Sequence, residues 1–208
     1  MSPLVLYRAE LRSSLKAGVS IPRRPGRRLP SNVPFVVDNI WEFTRPDTMP
    51  SRRHGVYASP TAALALAGAS QGAASRGDYA VCRLELMGKP RLLQIGVRDA
   101  RFHRDVDAVQ AVILRLLRAG SWAEAPLARK LSLAPMFVPG VEREELRQAM
   151  AHDALLHEVV LAAAAVVTLW TTPAVPDPEG EVFFELDDGQ AYILHPCAGE
   201  GPDGHGLA

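Results

Sequence analysis

The segments that favour β-strands lie at both ends of this chain and in its middle, and helix-like segments separate them. Alternating apolar and polar residues bounded by turn residues predict strands, at residues 4–11, 56–59, 77–86 and 90–96. Apolar residues at helical spacing predict helices, at residues 35–43, from about residue 61, at 104–120 and at 140–156. Because strands and helices do not alternate regularly, we expect an α+β fold and not a doubly wound α/β repeat.

Residues 104–120 carry the clearest helical pattern. Asp105 or Asp107 is expected to bind the first free amides, arginines follow in the last turn, and Gly120 ends the helix. The apolar positions share one helical stripe and are Val109, Val112, Ile113, Leu116 and Leu117.

Two C-terminal segments are predicted as further strands. Residues 157–170 contain alanines, which favour a helix, between valine pairs, which favour a strand, and we predict two strands or one bent strand there. Residues 181–186 and 190–195 flank Asp187, Asp188 and Gly189, a combination typical of a β-hairpin turn.

The length of 208 residues suits one domain with a full hydrophobic core, which we place at residues 1–197. Residues 17–34 are rich in proline, glycine and arginine and predict a long loop, and residues 45–55 predict another. The glycine-rich tail, residues 198–208, is expected to be disordered.

The formal net charge is +0, so no overall field attracts nucleic acid or a membrane, and nucleic acid is not indicated as a partner. The arginines are unevenly distributed and predict a local basic patch in the first third of the chain. They are Arg23, Arg24, Arg27, Arg28, Arg45, Arg52 and Arg53.

The cysteines and the apolar runs bear on the compartment. Two cysteines far apart in sequence, Cys82 and Cys197, indicate isolated thiols in a reducing compartment, the cytosol. The first residues become charged too early for a signal peptide, and residues 159–170 are shorter than the roughly 20 residues that span a bilayer. We expect no membrane segment, and a cytoplasmic protein or one delivered into a target cell without a cleavable signal.

Several common catalytic motifs are absent. The chain has no glycine-rich phosphate loop, no Gly-x-Ser-x-Gly and no His-Glu-x-x-His. His195, Cys197 and His205 do not complete a four-ligand pattern, so no metal site is predicted.

Three polar residues lie in or beside predicted strands: Arg8, Ser59 and Glu158. A charge on a half-buried strand requires a partner or a ligand. A guanidinium binds phosphate or ribose oxygens in a fork, and a carboxylate stabilises the oxocarbenium-like centre that forms when a glycosidic bond breaks. Together, these groups suit chemistry on a phosphorylated glycoside.

The three blocks "LYRAEL", "YASPTAALALA" and "LLHEVVL" resemble those of the Arg-Ser-Glu type of the ADP-ribosyltransferase superfamily. The resemblance implies a split, mainly antiparallel β-sandwich with flanking and inserted helices. It implies that Arg8 binds NAD as substrate, Tyr57 packs on the nicotinamide, Ser59 supports the pocket and Glu158 is the catalytic carboxylate. His54 is a further pocket candidate. The acceptor would be a macromolecule, such as a target protein, or water, as in bacterial toxins and effectors.

Alternatives remain open at several positions. Ser59 or Thr61 also suits a helix N-cap, and Glu158 also suits the exposed end of the preceding helix. Glu181 or Glu185, in "EGEVFFEL", is a second candidate carboxylate. The competing function is a non-catalytic binding or immunity-type module that holds a partner through its basic arginine-rich loop.

Overall fold

A computed structural model describes residues 5–23, 26–69 and 75–197. These residues form two compact units. The first unit draws on residues 1–26, 55–98 and 173–208, and the second on residues 27–54 and 99–172. The tail predicted at 198–208 lies outside the described residues.

The first unit contains two antiparallel β-sheets. One sheet has the order β1 (Leu6–Leu11), β4 (Tyr79–Met87), β7 (Ala191–Pro196) and β2 (Ser20–Pro22). The other has the order β3 (Val56–Ala58), β6 (Val182–Glu185) and β5 (Arg91–Gln94). Helix α2 (Ala62–Ala69) follows β3 and contacts β1 and β4.

Inward-facing residues of both sheets share one hydrophobic core. Leu6, Cys82 and Leu194 come from the first sheet, and Val182 and Phe184 from the second. Because side chains alternate along a strand, the neighbours of these residues point to the opposite faces. The two sheets therefore pack as a β-sandwich.

The second unit is helical. Its helices are α1 (Phe35–Thr44), α3 (Arg104–Ala119), α4 (Leu127–Leu131), α5 (Ala134–Phe137), α6 (Arg143–His152) and α7 (Ala154–Ala164). Helix α1 contacts α3, α5, α6 and α7, and its Val37 and Ile40 are completely buried. This helix is therefore the centre of the unit.

Buried polar residues connect the helices of the second unit. Arg53, which is 1% exposed, donates to Asp38 Oδ2 at 2.8 Å, to Asn39 Oδ1 at 2.6 Å and to the Val141 carbonyl at 2.6 Å. Burial raises the pKa of Asp38, and Arg53 opposes that rise. Arg52 is also buried and lies 5.1 Å from the centre of the Trp41 ring. These two arginines are therefore structural, not part of the predicted basic patch.

Asp105 is the second polar centre of this unit and is completely buried. Its carboxylate accepts hydrogen bonds from Trp41 Nε1 at 3.1 Å, from the Thr168 amide and hydroxyl at 2.8 and 2.7 Å, and from the Leu169 amide at 2.9 Å. One side chain thus joins α1, the start of α3 and the turn after α7.

The predicted α+β class is confirmed, with two antiparallel sheets and helices in both units. Strands and helices follow the predictions near residues 4–11, 35–43, 77–86, 90–96 and 104–120. The loop predicted at residues 17–34 contains the short strand β2. The helix predicted at 140–156 is divided at Asp153 into α6 and α7.

The strand predicted in residues 157–170 is wrong, because residues 157–164 continue helix α7 and residues 165–170 form turns and irregular structure. The Asp153 carboxylate accepts from the Leu156 amide at 2.8 Å and caps the helix. Of the two valine pairs that favoured a strand, Val159 and Val160 lie on the buried stripe of the helix, and Val166 and Val167 follow its end. That stripe is Leu156, Val159, Val160 and Ala163.

The predicted hairpin at Asp187, Asp188 and Gly189 is also wrong, although both of its strands form. Gly189 has a φ of +82° and the chain reverses there, but β6 and β7 belong to different sheets. Because β3 and β5 already pair with both edges of β6, no edge remains for β7. Phe184 and Tyr192 instead meet edge-to-face across the core, with ring centres 5.8 Å apart.

The sequence predicted that Asp105 or Asp107 caps helix α3, but the cap is His103. His103 Nδ1 accepts from the Asp105 amide at 3.2 Å, while the Asp105 carboxylate bonds elsewhere. Burial is the main cause that lowers the pKa of His103, with Arg104 and Arg52 contributing and Asp105 opposing.

We expect acidification to destabilise the protein through His103. Because its pKa is lower in the folded chain, His103 binds a proton more readily in the unfolded chain. The resulting destabilisation is absent above the ordinary histidine pKa of about 6.5 and grows as the pH falls below it. Urea unfolding at pH 7.5 and 5.5 measures the change. In His103→Asn, which keeps a capping acceptor but does not titrate, the loss on acidification should be smaller; equal losses would contradict the prediction.

Candidate functional site

The start of β1 and the end of β3 meet in the first unit. Tyr7 and Ser59 exchange two backbone hydrogen bonds, each 2.8 Å long. In an antiparallel sheet, the N–H and C=O of one residue point to the same side of its strand. Those of Ser59 therefore point toward β1 and away from β6. This pairing brings Arg8 beside β3.

Arg8 is held on two sides. Its Nη1 donates to the Tyr57 carbonyl at 2.7 Å and its Nε to Glu10 Oε1 at 2.5 Å. The Arg8 side chain is 25% exposed, and within the described part of the chain its Nη2 contacts no acceptor. The guanidinium is therefore fixed in direction and keeps donors for an anionic ligand.

Tyr57 and Ser59 lie on the face of β3 opposite the core, because Ala58 between them is a core residue. The Tyr57 ring packs against the Phe183 ring of β6, with centres 6.0 Å apart. Thr61 Oγ1, not Ser59, accepts from the Leu64 amide at 3.3 Å. The helix cap and the candidate binding serine are therefore different residues.

Glu181 immediately precedes β6 and belongs to the same face. Tyr57 pairs with Phe183 and Ala58 with Val182, so the register extended by one residue puts Glu181 opposite Ser59. The Glu181 amide donates to Val97 and its carbonyl accepts from Ile95, on the side away from β3. Ser59 and Glu181 thus match a non-hydrogen-bonded pair, in which Cα atoms lie about 4.5 Å apart.

At Gly180, the residue before Glu181, the backbone passes very close to Ile95 and Gln94. A Cβ at residue 180 would lie 2.2 Å from the Ile95 carbonyl oxygen and 3.0 Å from Gln94 Nε2. Gln94 Nε2 donates to the carbonyls of Asp177 and Gly180 at 2.6 and 3.1 Å. Only glycine fits this site without displacement of the backbone.

We expect Gly180→Ala to lower the free energy of unfolding by about 1–3 kcal/mol, because the added methyl group overpacks the strand end. Chemical denaturation measures this change. In Gly96→Ala the new Cβ meets nothing within 4 Å, and we expect a change within about 0.5 kcal/mol. Equal effects of the two substitutions would be evidence against the close approach.

Of the remaining predicted site residues, Glu158 and His54 lie in the second unit and Glu185 lies in the first. Glu158 does not open a strand; it is an exposed residue in the middle of α7. His54 is exposed and lies in the loop before β3. Glu185, the other candidate carboxylate, is 5% exposed and pairs with Arg91 at 3.3 Å. Sequence reasoning missed Glu10, whose signal was its position two residues after Arg8 on the same strand face.

The arginine-rich loop binds acidic residues of its own unit. Arg23 pairs with Asp188 at 3.2 Å in the first unit, and Arg27 pairs with Glu142 in the second. Arg24 lies outside the described residues. The observed ion pairs reduce the free positive charge on which the predicted partner-binding loop depends.

No protein-family model, curated protein or solved structure matches this chain. Across residues 5–23, 26–69 and 75–197, no three His, Cys, Asp or Glu residues form a group suited to a metal ion. No helix in the same ranges is long and apolar enough to cross a membrane.

Proposed function

We propose that the protein is an NAD-dependent ADP-ribosyltransferase that cleaves the bond between nicotinamide and ribose. ADP-ribose would pass to a macromolecular acceptor or to water. The observation that carries the proposal is the junction of β1, β3 and β6, where Arg8 donates to the Tyr57 carbonyl and the β3–β6 register, extended by one residue, puts Ser59 opposite Glu181.

Glu181 replaces Glu158 as the catalytic carboxylate in this proposal. The family that the sequence resembles has a glutamate at the opening of a strand, and Glu181 directly precedes β6 whereas Glu158 lies within a helix. Glu185 is less suited because it is buried in an ion pair with Arg91. The order Arg8, Ser59, Glu181 along the chain is the same as in the resemblance.

The residues divide the chemistry among them. Arg8, oriented by Glu10 and Tyr57, would bind a phosphate or ribose oxygen of NAD. The Tyr57 ring would pack against the nicotinamide. The Glu181 carboxylate would stabilise the positive charge that develops on the ribose as the nicotinamide leaves, and Ser59 would orient that carboxylate.

Incubation of the purified chain with NAD tests the proposal. We expect nicotinamide to appear, as followed by chromatography, and Arg8→Gln to lower kcat/KM by at least about tenfold because the charged donor to the ligand is lost. Arg12→Gln is the matched control, since this exposed arginine donates to the Gly77 carbonyl at 3.0 Å, outside the junction. Absence of nicotinamide release together with absence of NAD binding would reject the function.

A further inference from the structure

We propose that Glu10 determines which dinucleotide the candidate site accepts. Arg8 and Glu10 together bind the 2′-hydroxyl of the adenosine ribose of NAD, and Glu10 excludes the 2′-phosphate that distinguishes NADP. The inference rests on the proposed NAD cleavage and adds a specificity-determining residue to that reaction.

Arg8 and Glu10 lie side by side where the core of the β-sandwich meets solvent. They are two residues apart on β1 and share a face with Leu6, which is a core residue. Their partners in the register with β4 are Cys82 and Ala80, both buried. The side chains of Arg8 and Glu10 are nevertheless 25% and 27% exposed. A ligand can therefore reach this pair from solvent.

The pair keeps both donors and an acceptor for a ligand. Arg8 uses Nε for Glu10 Oε1 and one N–H of Nη1 for the Tyr57 carbonyl. A guanidinium has five N–H groups, so donors remain on Nη1 and Nη2. In residues 5–23, 26–69 and 75–197, no donor bonds to Glu10 Oε2. Free N–H groups of Arg8 therefore lie next to a free carboxylate oxygen of Glu10.

This combination suits a hydroxyl and not a phosphate. A ribose hydroxyl both donates and accepts, so it can donate to Glu10 Oε2 while it accepts from Arg8. A phosphate monoester carries about −1.5 to −2 charges at neutral pH, and the Glu10 carboxylate would repel it. In dinucleotide-binding folds, a carboxylate on the ribose 2′-hydroxyl likewise favours NAD, whereas an arginine accommodates the 2′-phosphate of NADP.

The pair would take the adenosine ribose and not the nicotinamide ribose. In the proposed reaction, Ser59 and Glu181 hold the nicotinamide ribose, on the face of their sheet that points away from the core. Arg8 and Glu10 lie on the core-facing side of the other sheet. Arg8 contacts β3 through the Tyr57 carbonyl, so the two places are neighbours. The second ribose of the same NAD molecule is therefore the one left for Arg8 and Glu10.

Nicotinamide release from NAD and from NADP tests this specificity. The unmodified chain should have a kcat/KM at least about 100-fold higher with NAD, because the 2′-phosphate of NADP would lie against a like charge. Glu10→Gln should reduce this preference at least about tenfold, mainly through better use of NADP, since the repulsion is lost while the amide oxygen still accepts from Arg8 Nε. Glu10→Asp keeps the charge and should retain most of the preference.

Glu85→Gln is the matched control. Glu85 is an exposed glutamate of β4, and its side chain lies on the face opposite the core because the neighbouring Leu84 is a core residue. This substitution should leave the ratio of the two kcat/KM values unchanged, and circular dichroism shows whether each variant is folded. An unchanged ratio in folded Glu10→Gln would overturn the proposal and show that the ion pair with Arg8 is only structural.

Binding of the reaction products separates this inference from the proposed cleavage. Isothermal titration calorimetry with ADP-ribose and with ADP-ribose 2′-phosphate requires no turnover. Tighter binding of ADP-ribose, with a smaller difference in Glu10→Gln, would support the role of Glu10 even without nicotinamide release. Equal release of nicotinamide from NAD and NADP would overturn the role of Glu10 and leave the proposed function intact. Binding of neither compound, together with no release of nicotinamide, would reject both.

Discussion

Glu181→Gln is expected to reduce nicotinamide release from NAD by about 10²–10⁴-fold, the range found when a positioned catalytic acid or base is lost. Glutamine has nearly the same shape but cannot provide the negative charge that stabilises the ribosyl cation. The loss should fall on kcat more than on KM, because the charge acts mainly in the transition state. Steady-state kinetics with NAD measures both.

Two other glutamates provide the controls for this prediction. Glu158 is exposed on α7 and is not part of the β1–β3–β6 junction, so Glu158→Gln should leave nicotinamide release unchanged within about twofold. Glu185→Gln removes the charge that pairs with Arg91, so its effect should appear in stability before it appears in kcat. Full activity in Glu181→Gln with loss in Glu158→Gln would show that the carboxylate has been assigned wrongly.

Asp105→Ala is expected to lower the free energy of unfolding of the second unit by about 3–5 kcal/mol, as for other buried hydrogen-bonded charges that lose one partner. The substitution leaves the Trp41 indole N–H and the Thr168 and Leu169 amides buried without their acceptor. It also leaves a cavity at the start of α3. Urea unfolding followed by tryptophan fluorescence measures the loss, since Trp41 reports directly on this site.

Asp107→Ala is the matched control, because Asp107 lies in the same first turn of α3 but is exposed. Its loss removes only a favourable charge near the helix N-terminus, for which we expect about 0.3–1 kcal/mol. Equal effects of the two substitutions would show that Asp105 has no special structural role. Asp105→Asn should cost less than Asp105→Ala, since the amide oxygen still accepts.

Local patterns predicted most of the elements because their signals are local. The stripe from Val109 to Ile113 and the end at Gly120 determine α3, and the alternation in residues 77–86 determines β4. The α+β class follows from the order of these elements. Arg8 and Ser59 were also singled out from their positions at strands, and the Tyr7–Ser59 pairing puts their strands side by side.

The errors arose where a distant contact decides the outcome. Valine pairs favour strands, but Val159 and Val160 are covered by neighbouring helices once Asp153 caps α7. The hairpin signal at Gly189 correctly indicated a reversal, but the pairing of β6 was decided by β3 and β5, which are remote in sequence. Glu181 could be recognised as a candidate, but its place opposite Ser59 depends on this pairing.

The position of β7 also affects how the chain can fold during synthesis. β7 lies between β4 and β2, yet it is the last of the three to leave the ribosome. Until it emerges, the nascent chain exposes the edges of both β2 and β4, which are open to pairing with other chains. All helices of the second unit precede β7 in the sequence, so they can form before the final strand of the β-sandwich has been synthesised.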